Sequence, residues 1–384
     1  MATFNETANV YFGDQALREA MPMMKKLGTK ALIVTGQHVA ASSMMEDLKN
    51  LLCEFGFGYF VYDEIAGEPT VDMIEKGIKE YNDGGCDFCI GIGGGSPMDS
   101  AKAISFFVKN AGLIVSYNGT KLTGSRTGVV CIPTTAGTGS ETTKFVVITD
   151  TESGVKMLLK GDVLIPDIAV INPSYTKGAP KSITAATGMD ALTHAVEAYT
   201  SKKAMPLTDP LAIDAVKKIM KYLPEAYENP YDYEARSAMA VAAFEAGVCI
   251  NNSSVTLVHG MSRPIGAMFH VSHGLSNAML LKDCLSFALD GAFERFADLG
   301  RAVGVAKESD SDVAIAEKFI SAIQELCAII EIPTLREYGI DSGTFLELRD
   351  KMAFDALVSG SPANTRKPVT IEDMKKIYKR VIEE

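Results

Sequence analysis

The stretch Ile90-Gly-Ile-Gly-Gly-Gly-Ser-Pro-Met-Asp-Ser-Ala-Lys102 joins an apolar strand to a helix through three consecutive glycines. The pattern predicts Ser96 as the N-cap of that helix, Pro97 at its first position and Asp99 as the partner in a capping-box-like start. Glycines let backbone N–H groups approach a ligand closely, and a helix N-terminus carries positive partial charge. The stretch therefore predicts a βα turn that binds a phosphate or pyrophosphate.

Two named phosphate motifs do not match this turn. A P-loop needs a lysine directly after its last glycine, and Lys102 comes too late. The order of the glycines also differs from the GxGxxG sequence of the usual Rossmann fingerprint. A tight turn that binds nothing is the simpler alternative, although three glycines exceed what a turn requires.

On both sides of this turn, short apolar runs alternate with helical stretches as far as about residue 180. Runs of this kind predict strands buried on both faces of a parallel sheet, here at residues 31–35, 89–92, 129–132, 145–149 and 168–171. Helical spacing lies between them, for example at residues 44–54 and 71–81. The alternation predicts a doubly wound α/β domain over residues 1–180.

Beyond residue 180 the strand signals almost disappear. Amphipathic stretches predict helices at residues 187–200, 210–223, 233–258, 276–289, 311–329 and 371–382. Residues 181–384 are therefore predicted to form an all-helical second domain.

Composition limits the function classes. The 384 residues carry a net charge of −11, which argues against a nucleic-acid partner. We find neither a secretory signal nor a membrane span, and the seven cysteines are typical of a reduced, cytoplasmic protein. Cys86-x-x-Cys89 lies on an apparent buried strand with no second such pair, so we interpret it as core rather than as a redox or zinc pair.

A second polar loop, Pro133-Thr-Thr-Ala-Gly-Thr-Gly-Ser-Glu141, follows the predicted strand at 129–132. Its hydroxyls suit contact with a sugar or phosphate, although a solvated turn explains the loop equally well when it is considered alone. Both polar loops follow predicted parallel strands, and open parallel sheets bind ligands at the carboxyl ends of their strands.

Histidine is scarce, and four of the five histidines lie within the helical half. Asp190 and His194 are spaced to share one helix face, and His259, His270 and His273 follow downstream. One carboxylate with up to three imidazoles suits Fe(II) or Zn(II) better than Mg(II) or Ca(II). Spacing alone does not decide between His270 and His273 as the third nitrogen ligand.

Together these motifs resemble the signatures of the iron-containing (group III) alcohol dehydrogenases along essentially the whole chain. The resemblance implies a dehydroquinate-synthase-like fold, with an N-terminal nucleotide domain, a C-terminal helical metal domain and assembly into homodimers or larger homo-oligomers. It implies a metal held by Asp190, His194, His259 and His273, and thereby favours His273 over His270. It also implies a cofactor site at Gly36, Gly93, Gly94, Gly95, Ser96, Thr134, Thr135, Thr138 and Lys156.

The chain departs from the family pattern at two positions. Gly36 stands where many NAD-specific members carry an aspartate, whose charge repels a 2′-phosphate. Without that repulsion, NADP is a candidate cofactor as well as NAD. His38 is then a candidate contact for the 2′-phosphate. Arg263 stands where many members have a further histidine. His270 is a candidate substitute in proton relay, and Arg263 either recognises an anionic substrate group or forms a structural ion pair.

The resemblance implies reversible hydride transfer between a small primary alcohol or aldehyde and a nicotinamide, with Fe(II), zinc or another divalent metal. A glycerol-dehydrogenase-like polyol enzyme is the alternative within this chemistry. A dehydroquinate-synthase-like lyase is the alternative from another class. The expected partner is a small molecule, not a nucleic acid or a membrane.

Overall fold

The computed structural model describes residues 3–384, which divide into two compact units. Asn5–Thr135 and Gly139–Lys177 form the sheet unit. Gly178–Glu384, together with residues 3–4 and the short segment Ala136–Thr138, form the helical unit. The predicted domain boundary at 180/181 lies three residues beyond Lys177. The prediction did not assign residues 136–138 to the helical unit.

The sheet unit contains eight strands and five helices. The strands are β1 (Asn9–Phe12), β2 (Lys30–Val34), β3 (Gly58–Tyr62), β4 (Phe88–Gly93), β5 (Gly128–Pro133), β6 (Phe145–Asp150), β7 (Val155–Lys160) and β8 (Ile168–Ile171). The helices are α1 (Ala16–Met24), α2 (Gln37–Ala40), α3 (Ser43–Glu54), α4 (Val71–Asp83) and α5 (Gly95–Phe107).

Six strands form a parallel sheet in the order β1-β8-β5-β4-β2-β3. Successive β2 side chains alternate between two separate cores, with Leu32 and Val34 on one face and Ala31 and Ile33 on the other. Helices therefore cover both faces of the sheet, and this confirms the predicted doubly wound class. From β2 the chain proceeds to β3 on one side and then returns to β4 on the other, which makes the β2/β4 boundary a topological switch point.

The prediction for residues 145–149 was wrong in one respect. These residues form a strand, but β6 pairs antiparallel with β7 in a separate two-stranded sheet, with Val147 opposite Leu158. A connection of only four residues allows an antiparallel hairpin, whereas a parallel crossover needs a dozen or more. Val146 and Ile148 are buried while Val147 is half-buried, so the strand packs mainly through one face.

The helical unit contains nine α-helices among its described residues. They are α6 (Lys181–Thr200), α7 (Asp209–Glu228), α8 (Tyr233–Ser253), α9 (Leu257–Phe269), α10 (His273–Ala288), α11 (Phe293–Ala302), α12 (Asp312–Ile329), α13 (Ser342–Val358) and α14 (Ile371–Glu383). One hydrophobic core runs through the unit. The single helix predicted over residues 233–258 is two helices, because α8 ends at Ser253 and Ser254 adopts a φ of +66°.

Over residues 3–384, none of the helices taken singly has the length and apolar character needed to cross a membrane. Taken together, the bent pair Tyr233–Ser253 and Leu257–Phe269 meets that criterion by length and composition alone. All seven cysteines are free. Cys89 lies fully buried on β4, and burial raises the pKa of Cys86 to about 11, which leaves its thiol protonated and unreactive at neutral pH.

Candidate functional site

Four potential metal ligands meet in the helical unit. Asp190 and His194 lie one turn apart on α6, His259 lies in the first turn of α9, and His273 is the first residue of α10. One ligand atom from each of the four lies within 4.8 Å of all the others. Asp190, His194 and His259 are buried, and His273 is half-buried. The structure therefore brings together the four residues that the resemblance implied.

The spacing of the ligand atoms suits a cation. Asp190 Oδ1 lies 3.5 Å from Nε2 of His194, 3.6 Å from Nε2 of His259 and 3.7 Å from Nε2 of His273. These separations are too long for good hydrogen bonds. Tetrahedral ligands at about 2.1 Å from a metal lie ~3.4 Å from one another, so the cluster has nearly the dimensions that Fe(II) or Zn(II) requires.

Close helix packing brings His273 to the cluster. Gly274, the second residue of α10, lies directly against α6, where an added Cβ would lie 2.2 Å from the carbonyl oxygen of Ala186. The same Cβ would lie 3.1 Å from Cβ of Asp190. Only glycine permits this approach, so the residue after His273 fixes the distance between the two ligand-bearing helices.

Glu197 supports the cluster, and the sequence analysis did not identify it. Its carboxylate lies 2.6 Å from Nδ1 of His259, and it also accepts hydrogen bonds from Thr256 Oγ1 at 2.7 Å and from the Val258 amide at 2.6 Å. A proton held on Nδ1 by this contact leaves the Nε2 lone pair of His259 free for a metal. The signal was present in the spacing of Asp190, His194 and Glu197, which share one face of α6.

Asn277, also missed, projects an amide nitrogen into the cluster. Its Nδ2 lies 2.8 Å from Asp190 Oδ1, 3.1 Å from His259 Nε2 and 3.4 Å from His273 Nε2. Its Oδ1 is buried without a hydrogen-bond partner. Acceptor atoms from three helices thus converge on one donor, which is the arrangement a bound cation would satisfy.

Electrostatics keep Asp190 and His194 in states that favour metal binding. Although burial opposes ionisation, the neighbouring imidazoles of His194, His273 and His259 hold the pKa of Asp190 well below its usual value. Burial lowers the pKa of His194 to about 4, against the opposing effect of Asp190. At neutral pH the cluster therefore offers an ionised carboxylate and, at His194, an unprotonated imidazole.

The two residues predicted to act in catalysis lie in different surroundings. His270 is exposed, follows the last residue of α9 with a φ of +55°, and lies outside the four-residue cluster. Arg263 is half-buried on α9, and its Nη1 donates to Ser361 Oγ at 3.0 Å. Among residues 3–384 no carboxylate lies within ion-pair distance of Arg263, although the charge of Glu197 acts on its guanidinium.

The glycine turn lies at the switch point of the sheet. β2 and β4 are neighbours, and Thr35 Oγ1 donates to the Ile92 carbonyl at 2.8 Å, so the carboxyl ends of these strands are joined. The Thr134 amide donates to the Gly93 carbonyl at 2.9 Å, which brings the second polar loop alongside. Open α/β sheets bind their ligands at such a point.

Individual glycines in the turn have different roles. Gly93 has a φ of +150°, and a Cβ there would lie 2.7 Å from Pro97 Cγ. Gly94 is less constrained, because the nearest atom to an added Cβ is Thr135 Oγ1 at 3.6 Å. That hydroxyl is buried without a hydrogen-bond partner. An open glycine beside an unpaired hydroxyl at a helix N-terminus fits an anionic cofactor group.

The predicted capping arrangement was wrong. The helix begins at Gly95 with Gly94 as its N-cap, so Ser96 lies within the first turn. Asp99 accepts instead from the Val147 amide at 3.0 Å and from the buried Lys102 at 3.5 Å. The β6–β7 hairpin, whose position the sequence did not reveal, supplies this alternative partner.

Other predicted cofactor residues lie at separate positions. Gly36 caps α2 and forms a bridge with Glu64, and His38 is exposed on α2. The ammonium of Lys156, on β7, pairs with Glu68 at 2.7 Å. Thr138 belongs to the short segment grouped with the helical unit.

Comparison with known proteins agrees with this geometry. The model for "Iron-containing alcohol dehydrogenase" matches residues 7–173, and the model for "Fe-containing alcohol dehydrogenase family, C-terminal" matches residues 184–382. The NAD-dependent methanol dehydrogenase of Bacillus methanolicus is 36% identical over 373 residues, which cover 96% of this chain and 97% of that protein. The chain belongs to the iron-containing alcohol dehydrogenase family.

Solved structures of this family extend the similarity to the whole fold. A crystal structure of 1,3-propanediol oxidoreductase superimposes with a TM-score of 0.96 at 32% identity, and the match covers 99% of this chain and all of that one. The sulfoacetaldehyde reductase from Bifidobacterium kashiwanohense, solved in complex with NAD+, gives a TM-score of 0.89 at 26% identity over all of this chain and 99% of that one. Iron-containing alcohol dehydrogenases thus share both units of this chain.

Proposed function

We propose that this protein is a metal-dependent, NAD(P)-linked alcohol dehydrogenase and aldehyde reductase. In the oxidation direction, hydride leaves the carbinol carbon of a small primary alcohol for C4 of the nicotinamide, and the hydroxyl proton passes to solvent. The products are an aldehyde and the reduced cofactor. The observation that carries the proposal is the approach of three histidine nitrogens to one oxygen of Asp190.

In this proposal Asp190, His194, His259 and His273 hold iron(II). Such an ion supplies Lewis-acid polarisation of an alcohol or carbonyl oxygen. Glu197 keeps His259 in the tautomer whose Nε2 points into the cluster, because its carboxylate accepts the Nδ1 proton. The dimensions of the ligand cluster support this assignment.

The sheet unit is proposed to bind the dinucleotide, NAD or NADP, at its switch point. Backbone N–H groups of Gly94, Gly95 and Ser96 lie at the N-terminus of α5, where they are suited to the pyrophosphate. The unpaired hydroxyl of Thr135 is proposed to donate to the same group. Gly36 leaves the end of β2 without an acidic side chain, so the nucleotide preference is set by other contacts.

The remaining cofactor residues are proposed from the family pattern. Gly93 shapes the turn, and Thr134 and Thr138 line the dinucleotide site. Lys156 contacts the dinucleotide in place of its present ion-pair partner, Glu68. His270 is proposed as a proton relay to solvent, since its side chain is exposed.

Two further proposals concern the setting of the enzyme. We place it in the cytoplasm, which the seven free cysteines support. We also propose a homodimer or larger homo-oligomer, because β1 is an edge strand and carries Val10 and Phe12 at 41% and 47% exposure. Light scattering on the purified protein measures its mass in solution.

Steady-state assays test the proposed reaction. We expect iron-loaded protein to oxidise NADH or NADPH in the presence of a panel of small aldehydes, and the panel identifies the preferred cofactor. His259→Ala is expected to abolish both bound metal and turnover. Normal turnover in metal-free His259→Ala protein would refute the proposal.

A further inference from the structure

The side chain of Arg263 is a cation that no carboxylate of residues 3–384 contacts directly, although the charge of Glu197 acts on it. Its Nη1 donates to Ser361 Oγ, and no carboxylate within the described part of the chain lies within ion-pair distance of the guanidinium. Burial lowers the pKa of this guanidinium, but arginine stays charged in proteins. A half-buried charge with most of its five N–H donors free of protein partners needs water or a ligand to satisfy them.

Two contacts restrain the position of Arg263. The neighbouring residue Gly260 packs against Pro362, where an added Cβ would lie 2.6 Å from Pro362 Cγ. Ser361, which accepts from Arg263, is only 6% exposed. The loop and α9 therefore hold the guanidinium in one place, as recognition of a particular group requires.

Arg263 lies on the same side of α9 as the metal cluster. His259 and Arg263 are four residues apart, and such pairs have Cβ atoms about 5–6 Å apart on one helix face. The guanidinium is therefore close enough to the cluster to contact a molecule whose oxygen is held there.

The charge balance favours an anion. With neutral imidazoles, the two carboxylates of Asp190 and Glu197 balance one divalent ion, and the charge of Arg263 remains uncompensated. Guanidinium groups match the planar, two-oxygen edge of a carboxylate or sulfonate through paired N–H donors.

We propose that Arg263 binds a carboxylate or sulfonate carried by the substrate, so that the preferred substrates are short ω-hydroxy acids and the corresponding ω-oxo acids. This inference rests on the proposed dehydrogenase function, and it names the substrate class of the same site. A neutral alcohol of equal length leaves the guanidinium unpaired and is bound less well.

Two matched aldehydes test the inference. The kcat/KM values for succinate semialdehyde and butanal, which both have four carbons, are measured with iron-loaded wild type, Arg263→Met, Arg263→Lys and the surface control Arg301→Met. We expect wild type to favour the anionic aldehyde at least tenfold. Arg263→Met should lower that ratio at least tenfold, Arg263→Lys should lower it less, and Arg301→Met should leave it unchanged.

Equilibrium binding provides a second readout. Calorimetry with zinc-loaded protein and 4-hydroxybutyrate should show at least tenfold weaker binding to Arg263→Met than to wild type, whereas 1,4-butanediol should distinguish the two proteins far less. A wild-type preference for butanal, or an equal loss for both ligands in folded Arg263→Met, would overturn the inference. If wild type reduces neither aldehyde with either nicotinamide, the proposed function itself fails.

Discussion

Nδ1 of His259 lies 2.6 Å from Oε2 of Glu197, and neither side chain is exposed to solvent. The carboxylate also accepts from Thr256 and from the Val258 amide, so three contacts hold it at the start of α9. This carboxylate–imidazole pair determines which nitrogen of His259 is free to bind a metal.

Glu197→Gln is predicted to weaken metal binding by roughly 10- to 100-fold, because a neutral amide accepts the Nδ1 proton less strongly. Chelator competition at fixed pH measures the affinity, and circular dichroism checks the fold. Thr256→Val is the control, because it removes one donor to Glu197 and leaves the contact with His259. Affinity equal to that of wild type in folded Glu197→Gln would show that the pair does not support the metal.

His273→Ala is predicted to lose most of the bound metal, whereas His270→Asn is predicted to keep it. His273 belongs to the ligand cluster, while His270 is exposed and outside it. Asparagine tolerates the positive φ of 55° at position 270, so this control avoids backbone strain. Elemental analysis gives metal per chain, and the reverse pattern would contradict the assignment.

Gly94→Ala is predicted to fold normally but to bind NADH at least tenfold more weakly. Its backbone suits alanine, with a φ of −73°, and the new methyl would lie where a cofactor phosphate must approach. Gly91→Ala is the contrasting variant, because its Cβ would lie 2.8 Å from Met98 Cα and should impair folding instead. NADH fluorescence titration measures binding, and unchanged affinity in Gly94→Ala would place the pyrophosphate elsewhere.

Stability is predicted to fall as the pH rises from about 4.5 to about 7, because of Glu141. Burial raises the pKa of Glu141 to about 7 in the folded protein. Within this pH range the unfolded chain has lost the proton while the folded chain retains it, so the free energy of unfolding decreases with pH by up to about 3 kcal/mol. Above pH 7 the effect is constant.

Denaturation of wild type and Glu141→Gln in the presence of EDTA isolates this contribution. The stability difference between the two proteins should change in favour of Glu141→Gln between pH 5 and pH 8, because the amide cannot ionise. A difference that is independent of pH would mean that Glu141 is ionised in the folded protein throughout this range.

The hydrophobic pattern of the sequence predicted the central strands well. β2, β4, β5 and β8 are buried on both faces, so each is a continuous apolar run in the sequence. The half-exposed strands β1, β3 and β7 lack that signal and were missed. The break between α8 and α9 was also missed. The residue with the positive φ there is Ser254, and a serine does not signal a helix break as a glycine or proline would.

The candidate site shows the same limit. Spacing linked Asp190 to His194 within one helix, but only tertiary packing brings His259 and His273 to them. The family resemblance supplied that set, and it did not extend to Glu197 or Asn277. Their contacts cross between helices, so the only local signal was the spacing of Glu197 from Asp190 and His194 on α6, and Asn277 had none.

Anomalous diffraction at the iron edge, from crystals of iron-loaded protein, tests the central claim most directly. A single strong peak is predicted between Asp190 and the three histidines, at about 2.1 Å from each of the four ligand atoms. The absence of a peak there, or a peak held by other residues, would contradict the assignment of this cluster as the metal centre.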